Sequence, residues 1–287
     1  MGLSFFGNWL ILAPLWTIAF FIFGGMIAAS IAGWTLRRRR DRRLAHAQAE
    51  DDKEAGEQGI MISAIMGLLA LLVAFTFSIA IDRFDTRRMN VLNEANAIGT
   101  TYLRAQLLEQ PHRGRISGLL IDYTDVRIEL AALRRGPEQS ALLARNDQLL
   151  VDLWTATVAA FPSMRSYAFS NSFLGTMNEL IDMDASRKAG RQTRVPASVF
   201  LVLFLYLFIA AGFVGYIIVG KSSRRTAFVL FCLFGVLMVL IIDMDRPTSG
   251  GVTESQEPMV QLKAFFDANP PDRFNGSNPI APPPQLP

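Results

Sequence analysis

The chain has 287 residues, 51% of them hydrophobic and 18% charged, with a formal net charge of +3, and its mean hydropathy is +0.28. That composition is too apolar for an ordinary soluble domain and directs attention to uninterrupted apolar runs. The positive charge clusters beside those runs, where Lys and Arg favour anionic lipid headgroups, so nucleic-acid binding is not needed to explain it. The single cysteine, Cys232, excludes an internal disulfide.

Four runs lack any charged side chain: residues 8–33, 60–81, 195–220 and 226–242. Roughly 20 apolar residues suffice to cross a hydrocarbon core about 30 Å thick, so each predicts a transmembrane helix. A buried core helix is the alternative for any one run, but not for all four together. Met1 to Trp9 contains no basic residue. The first run is therefore expected to be a retained span rather than a cleaved signal peptide.

A basic loop, residues 34–59, joins the first two spans and carries RRRRDRR at 37–43 and then Lys53, while KSSRR at 221–225 joins the last two. Short basic loops stay in the cytoplasm. This predicts an integral membrane protein with its N terminus, middle segment and C terminus outside, which for an inner-membrane protein of a bacterium means the periplasm. The opposite flanks carry eight basic residues (Arg83, Arg87, Arg88, Arg187, Lys188, Arg191, Arg194 and Arg246) against ten in the loops. Charges in short loops weigh more than those of long translocated segments.

Residues 82–194 form the middle segment, punctuated by Pro111, Gly136-Pro137, Pro162 and Pro196, and four helices fit between the breaks. Ile116, Leu119, Leu120, Tyr123, Val126, Leu130 and Leu133 in the second, and Leu142, Leu149, Leu150, Leu153, Trp154, Val158 and Phe161 in the third, give each an apolar stripe with spacings of three and four. An extramembrane helical bundle is expected. Because no proline interrupts residues 60–110, the second span and the first bundle helix are predicted to be one rod, about 75 Å long at 1.5 Å per residue. Residues 243–287 form a C-terminal tail whose proline-rich part, from Asn269 onward, is expected to be disordered.

The chemistry of sites is sparse. His46 and His112 have no cysteine or carboxylate neighbours at zinc-ligand spacing, phosphate-binding glycine loops are missing, and Cys232 has no nearby base. No enzyme activity, cofactor or metal is indicated. The densest polar feature is residues 81–104, where Asn90, Glu94, Thr101 and Arg104 share one helix face. Such a face suits a hydrophilic vestibule or a subunit contact, but equally a solvated bundle surface held by charge pairs, and a solvated surface is expected.

Asp82, Arg83, Asp85 and Arg88 follow the second span, and Asp243, Asp245 and Arg246 close the fourth. Both sets leave the membrane on the same side in an even-numbered topology, so Arg83 with Asp243, or Arg246 with Asp82, can lock the spans together. Within the second span Gly67, Leu71 and Phe75 stand at steps of four, a pattern that by itself describes a lipid-facing or packed face. Gly212, Gly215 and Gly235 permit close helix contact.

Two stretches, GLLALLVAFTFSIAIDRFDTRRMNVLNEANAIG and IIDMDRPTSGGVTESQEPM, resemble the bacterial bestrophin-like membrane family. The similarity rests on Asp82-Arg83-Phe84-Asp85, on Glu94-Ala95, and most specifically on Asp245-Arg246-Pro247 with Gly250 and Glu257-Pro258 beyond the last span. The chain is similar, more remotely, to the bestrophins proper, pentameric anion channels whose second span places three apolar residues around a pore neck. Counted back from Arg83, the resemblance puts those positions at Gly67, Leu71 and Phe75; Leu71 and Phe75 suit a constriction, whereas Gly67 departs from the pattern and widens that level. It also implies a cytosolic bundle, opposite to the side the loop charges indicate.

The reading is therefore an all-α membrane protein, with four transmembrane helices in two hairpins bracketing an extramembrane helical bundle. The resemblance implies a homo-oligomer within the lipid bilayer. It also implies conduction of small anions, with Arg83 and Arg88 as basic vestibule residues. The alternative class is a non-conducting scaffold or sensor that binds a partner through its bundle.

Overall fold

A computed structural model describes residues 2–43, 51–133, 136–218, 221–247 and 250–275. The regular elements are helices: α1 (Gly2–Leu12), α2 (Leu15–Arg43), α3 (Asp51–Ala105), α4 (His112–Ala132), α5 (Pro137–Met164), α6 (Phe169–Gln192), α7 (Ala197–Ile217), α8 (Lys221–Asp245) and α9 (Glu257–Ala268), followed by a 3-10 turn at Pro271–Phe274. Four helical stretches are long and apolar enough to cross a membrane. The chain divides into two compact units. The first comprises Met1–Phe84 and Thr193–Thr253, the second Asp85–Gln192 and Glu254–Pro287, and α3 contributes to both.

Local chemistry moves several boundaries away from the sequence expectation. The first apolar run is two helices, because Pro14 lacks an N–H and its ring clashes with the carbonyl one turn back. After that break α2 restarts with the Pro14 carbonyl accepting from the Thr17 amide at 3.0 Å. The expected basic loop 34–59 is largely helical, since α2 continues to Arg43 and α3 begins at Asp51; residues 44–50, with His46, lie outside the described residues. Pro162 does not end α5, which runs two residues further to Met164. In the tail, Glu257-Pro258 starts α9, with proline in the first turn where its missing N–H costs nothing. Helical structure thus extends past Asn269, where disorder was expected to begin, and residues 276–287 lie outside the described residues.

In the first unit, Ile18, Ile22 and Met26 of α2 meet Leu69 and Val73 of α3, Leu203 and Leu207 of α7, and Met238 and Ile241 of α8 in one apolar core. The helix α2 packs along α7 and also against α8. Glycines make that approach close: a Cβ on Gly33 would lie 1.9 Å from the Gly212 carbonyl oxygen, and one on Gly215 would lie 2.1 Å from that of Ser30. Backbones touch there, as small residues allow between membrane helices.

The second unit has its own core. Ile98 and Tyr102 of α3 pack with Ile116 and Leu120 of α4, Leu149 and Leu153 of α5, and Phe173 and Met177 of α6. The late helix α9 completes it with Met259 and Phe266, whose ring lies 4.4 Å from that of Tyr102. The Tyr102 hydroxyl donates to the Asn269 carbonyl at 2.7 Å, holding the chain just after α9.

Candidate functional site

At the end of α8 three side chains close off backbone groups of the first unit. Pro14 cannot donate to the Leu10 carbonyl, which is left without its helical partner. The Arg246 guanidinium fills that role, donating from Nε to the Leu10 oxygen at 2.9 Å and from a second nitrogen to the same atom. Asp245 accepts from the Val195 amide at 2.9 Å, at the entry to α7. Asp243 accepts from the Gly251 amide at 2.9 and 3.1 Å and from that of Val252 at 3.1 Å.

Gly250 lies over the Asp243 carboxylate, so that a Cβ there would stand 2.0 Å from an oxygen. The Asp243 carboxylate is thus bound by backbone amides and the Arg246 guanidinium by a helix-end carbonyl. Asp-Met-Asp-Arg is a structural clasp. Asp82, Asp85 and Arg88 are exposed and Arg83 is half-buried.

The polar face of α3 differs most from expectation. It is not solvated: Glu94 and Thr101 are both 0% exposed, and Asn90 and Arg104 are half-buried. Thr101 donates to the Ala97 carbonyl at 2.7 Å and lies 3.2 Å from that of Thr176, Arg104 donates to the Ser172 carbonyl at 2.5 Å, and Asn90 to that of Ser186 at 3.3 Å. This face is sewn to α6.

Glu94 is the centre of a buried ion network. Its Oε1 accepts from the Tyr123 hydroxyl at 2.7 Å, and its Oε2 accepts from Arg127 Nη2 at 3.1 Å and Arg187 Nη1 at 2.5 Å. Arg127 Nε also lies 2.9 Å from Oε1, as an ion-pair contact too poorly aligned to be a hydrogen bond. Arg127 Nη1 reaches Asp184 Oδ1 at 3.0 Å, and Asn146 Nδ2 donates to the same oxygen at 3.0 Å.

At the rim, Lys188 Nζ bridges Asp184 at 2.6 Å and Asp147 at 2.5 Å. Arg187 Nη2 meets Gln256 at 3.3 Å, and Arg87 Nε donates to Glu254 at 2.5 Å. At its centre two buried carboxylates, Glu94 and Asp184, face two buried guanidiniums, Arg127 and Arg187, while the buried Arg87 has Glu254 as its counter-charge. The balance matters because an unpaired charge in this setting costs several kcal/mol.

The network perturbs its members. Burial, with the Glu94 and Asp184 carboxylates, pushes the Tyr123 phenol well above its ordinary range. On α6, burial together with the Arg187 and Arg127 guanidiniums lowers Arg191 to about 10, opposed by Glu254 and Glu94. Asp147 is drawn below the usual carboxylate range by its hydrogen bond from Lys188. Tyr123, Arg127, Asp184 and Arg187 were not singled out as a site in the sequence. The available signal was an arginine one turn after a tyrosine on the apolar stripe of α4.

In the second span Gly67, Leu71 and Phe75 lie on the face of α3 turned away from the first unit's core, with Leu71 51% and Phe75 62% exposed. Leu69, Val73 and Ala80 on the other side of the helix are buried. Among the described residues no group of three His, Cys, Asp or Glu side chains is placed to hold a metal ion.

An all-helical chain with four spanning helices and a charge-filled bundle defines a polytopic membrane protein. The model of the bestrophin-like domain matches residues 24–259, and the chain belongs to the bestrophin-like family. Its fold is similar to the crystal structure of a bacterial bestrophin homologue from Klebsiella pneumoniae carrying a Trp-to-Ala substitution. That similarity has a TM-score of 0.64 at 14% identity, over 91% of this chain and 98% of that one. No curated protein sequence matches.

Proposed function

We propose that the protein is an oligomeric anion channel of a bacterial inner membrane, with the pore neck lined by one face of α3. The observation that carries this reading is the exposed apolar stripe through Leu71 and Phe75, in a family member whose fold is that of a bestrophin homologue. A residue that lines the axis of a ring is exposed in the single subunit. Leu71 and Phe75 form the constriction, Gly67 widens its end, and Arg83 and Arg88 concentrate anions at the vestibule.

In this reading the four spans pair as two hairpins bracketing the bundle. The basic ends of α2 and α8 face the cytoplasm, which leaves the N terminus, the bundle of 82–194 and the C terminus in the periplasm. Purified protein in liposomes is expected to release chloride, measured with an enclosed halide-sensitive dye, and Phe75→Ala to accelerate the release. No flux from either protein would overturn the proposal and favour a scaffold that binds a partner through its bundle.

A further inference from the structure

The first unit carries a cleft that neither the proposed pore nor the clasp uses. It measures about 440 Å³ and is walled by Ile27, Ile31, Val214, Phe228 and Phe231 from α2, α7 and α8. Trp34 and Arg224 stand at its rim. The Arg224 guanidinium lies 5.5 Å from the Trp34 ring centroid and that of Arg38 lies 5.3 Å from it. Their neighbour Arg37 is already engaged, donating to the Ile217 carbonyl at 2.8 Å at the end of α7, and Arg40 donates to the Tyr216 hydroxyl at 2.9 Å. Arg38 and Arg224 are exposed, and among the described residues neither meets a carboxylate.

From this juxtaposition of an apolar cleft with an arginine–tryptophan–arginine rim, we infer that the cleft is a binding site for an anionic phospholipid. The occupant follows from charge and polarity. A phosphate beside the Trp34 ring gains two cationic partners, Arg38 and Arg224, whose guanidiniums lie 5.3 and 5.5 Å from that ring. Trp34 lies where the apolar run of α2 gives way to its arginines, the kind of interfacial position that tryptophan favours in membranes. An acyl chain fills the apolar walls without leaving any polar group unpaired, which a peptide segment could not do. A zwitterionic lipid of equal chain length fits the walls but loses the net attraction to the two guanidiniums.

The test uses the full-length protein purified in detergent and titrated separately with dioleoyl phosphatidylglycerol and dioleoyl phosphatidylcholine, with bound lipid and oligomeric mass read by native mass spectrometry. Phosphatidylglycerol is expected to bind about tenfold more tightly. Arg38→Ala with Arg224→Ala brings it to the level of phosphatidylcholine. Ile31→Trp fills the cleft and weakens both lipids, and Arg39→Ala with Arg42→Ala, equal in charge but away from the rim, leaves binding unchanged. Equal binding of the two lipids by the unaltered protein would overturn the assignment, as would an equal loss in the Arg39/Arg42 variant. So would an Ile31→Trp variant that changes the oligomeric mass and not the lipid bound, because a second copy of the chain would then cover the cleft.

Discussion

The Arg246 guanidinium matters because of a proline 232 positions earlier. Pro14 deprives the Leu10 carbonyl of its helical donor, and Arg246 supplies the substitute. Arg246→Ala should cost about 1–3 kcal/mol, the penalty of a buried acceptor left unsatisfied, seen as a lower thermal midpoint by circular dichroism in detergent. An unchanged midpoint would mean that water or another donor takes over.

Glu94→Gln keeps the shape but leaves Arg127 and Arg187 facing a single remaining carboxylate, and should cost about 3–5 kcal/mol. Recovery of full stability with Gln would show that hydrogen bonding rather than charge holds the network. Tyr123 adds a pH dependence whose sign is set by its raised pKa. The phenol loses its proton more readily in the unfolded chain, so its contribution is complete below about pH 10 and is lost as pH rises toward the folded value. Phenolate absorbance should show Tyr123 titrating later than the exposed tyrosines, alongside Tyr102, which burial also raises, and Tyr123→Phe should remove one of those two late components.

At the level of elements, what hydropathy and periodicity could reveal were the apolar runs and the stripes of α4 and α5, because each depends on neighbours within a few turns. The split of the first run was visible only by weighing Pro14 above the hydropathy around it. The helix α9 was signalled by Glu257-Pro258, yet the proline-rich residues that follow masked it. Glu94 was misread for a deeper reason. A carboxylate on a mixed helix face looks solvated unless its partners are known, and Arg127 and Arg187 are 33 and 93 residues away.

Helix contact offers a paired test. Gly215→Ala places a methyl 2.1 Å from the Ser30 carbonyl oxygen, whereas Gly212→Ala places one 3.5 Å from that of Ala29. The first should destabilise by about 1–3 kcal/mol through forced separation of α2 and α7, and the second should be nearly silent. Equal effects on the thermal midpoint would argue against the close contact.

For the whole molecule, the family resemblance rests on residues spread from Asp82 to Pro258, so membership was legible in the amino-acid sequence itself. The internal lining of the bundle was not, nor was the clasp of Asp245 on Val195 and Arg246 on Leu10, since both depend on partners far apart along the chain. The pore assignment draws instead on exposure of one face of α3, and it makes a directional demand on a single side chain. Chloride efflux from liposomes containing the purified protein tests it most directly. A neck at Leu71 and Phe75 predicts measurable efflux that rises when Phe75 is replaced by Ala and falls when Gly67 is replaced by Leu; efflux indifferent to both substitutions, or none at all, would contradict it.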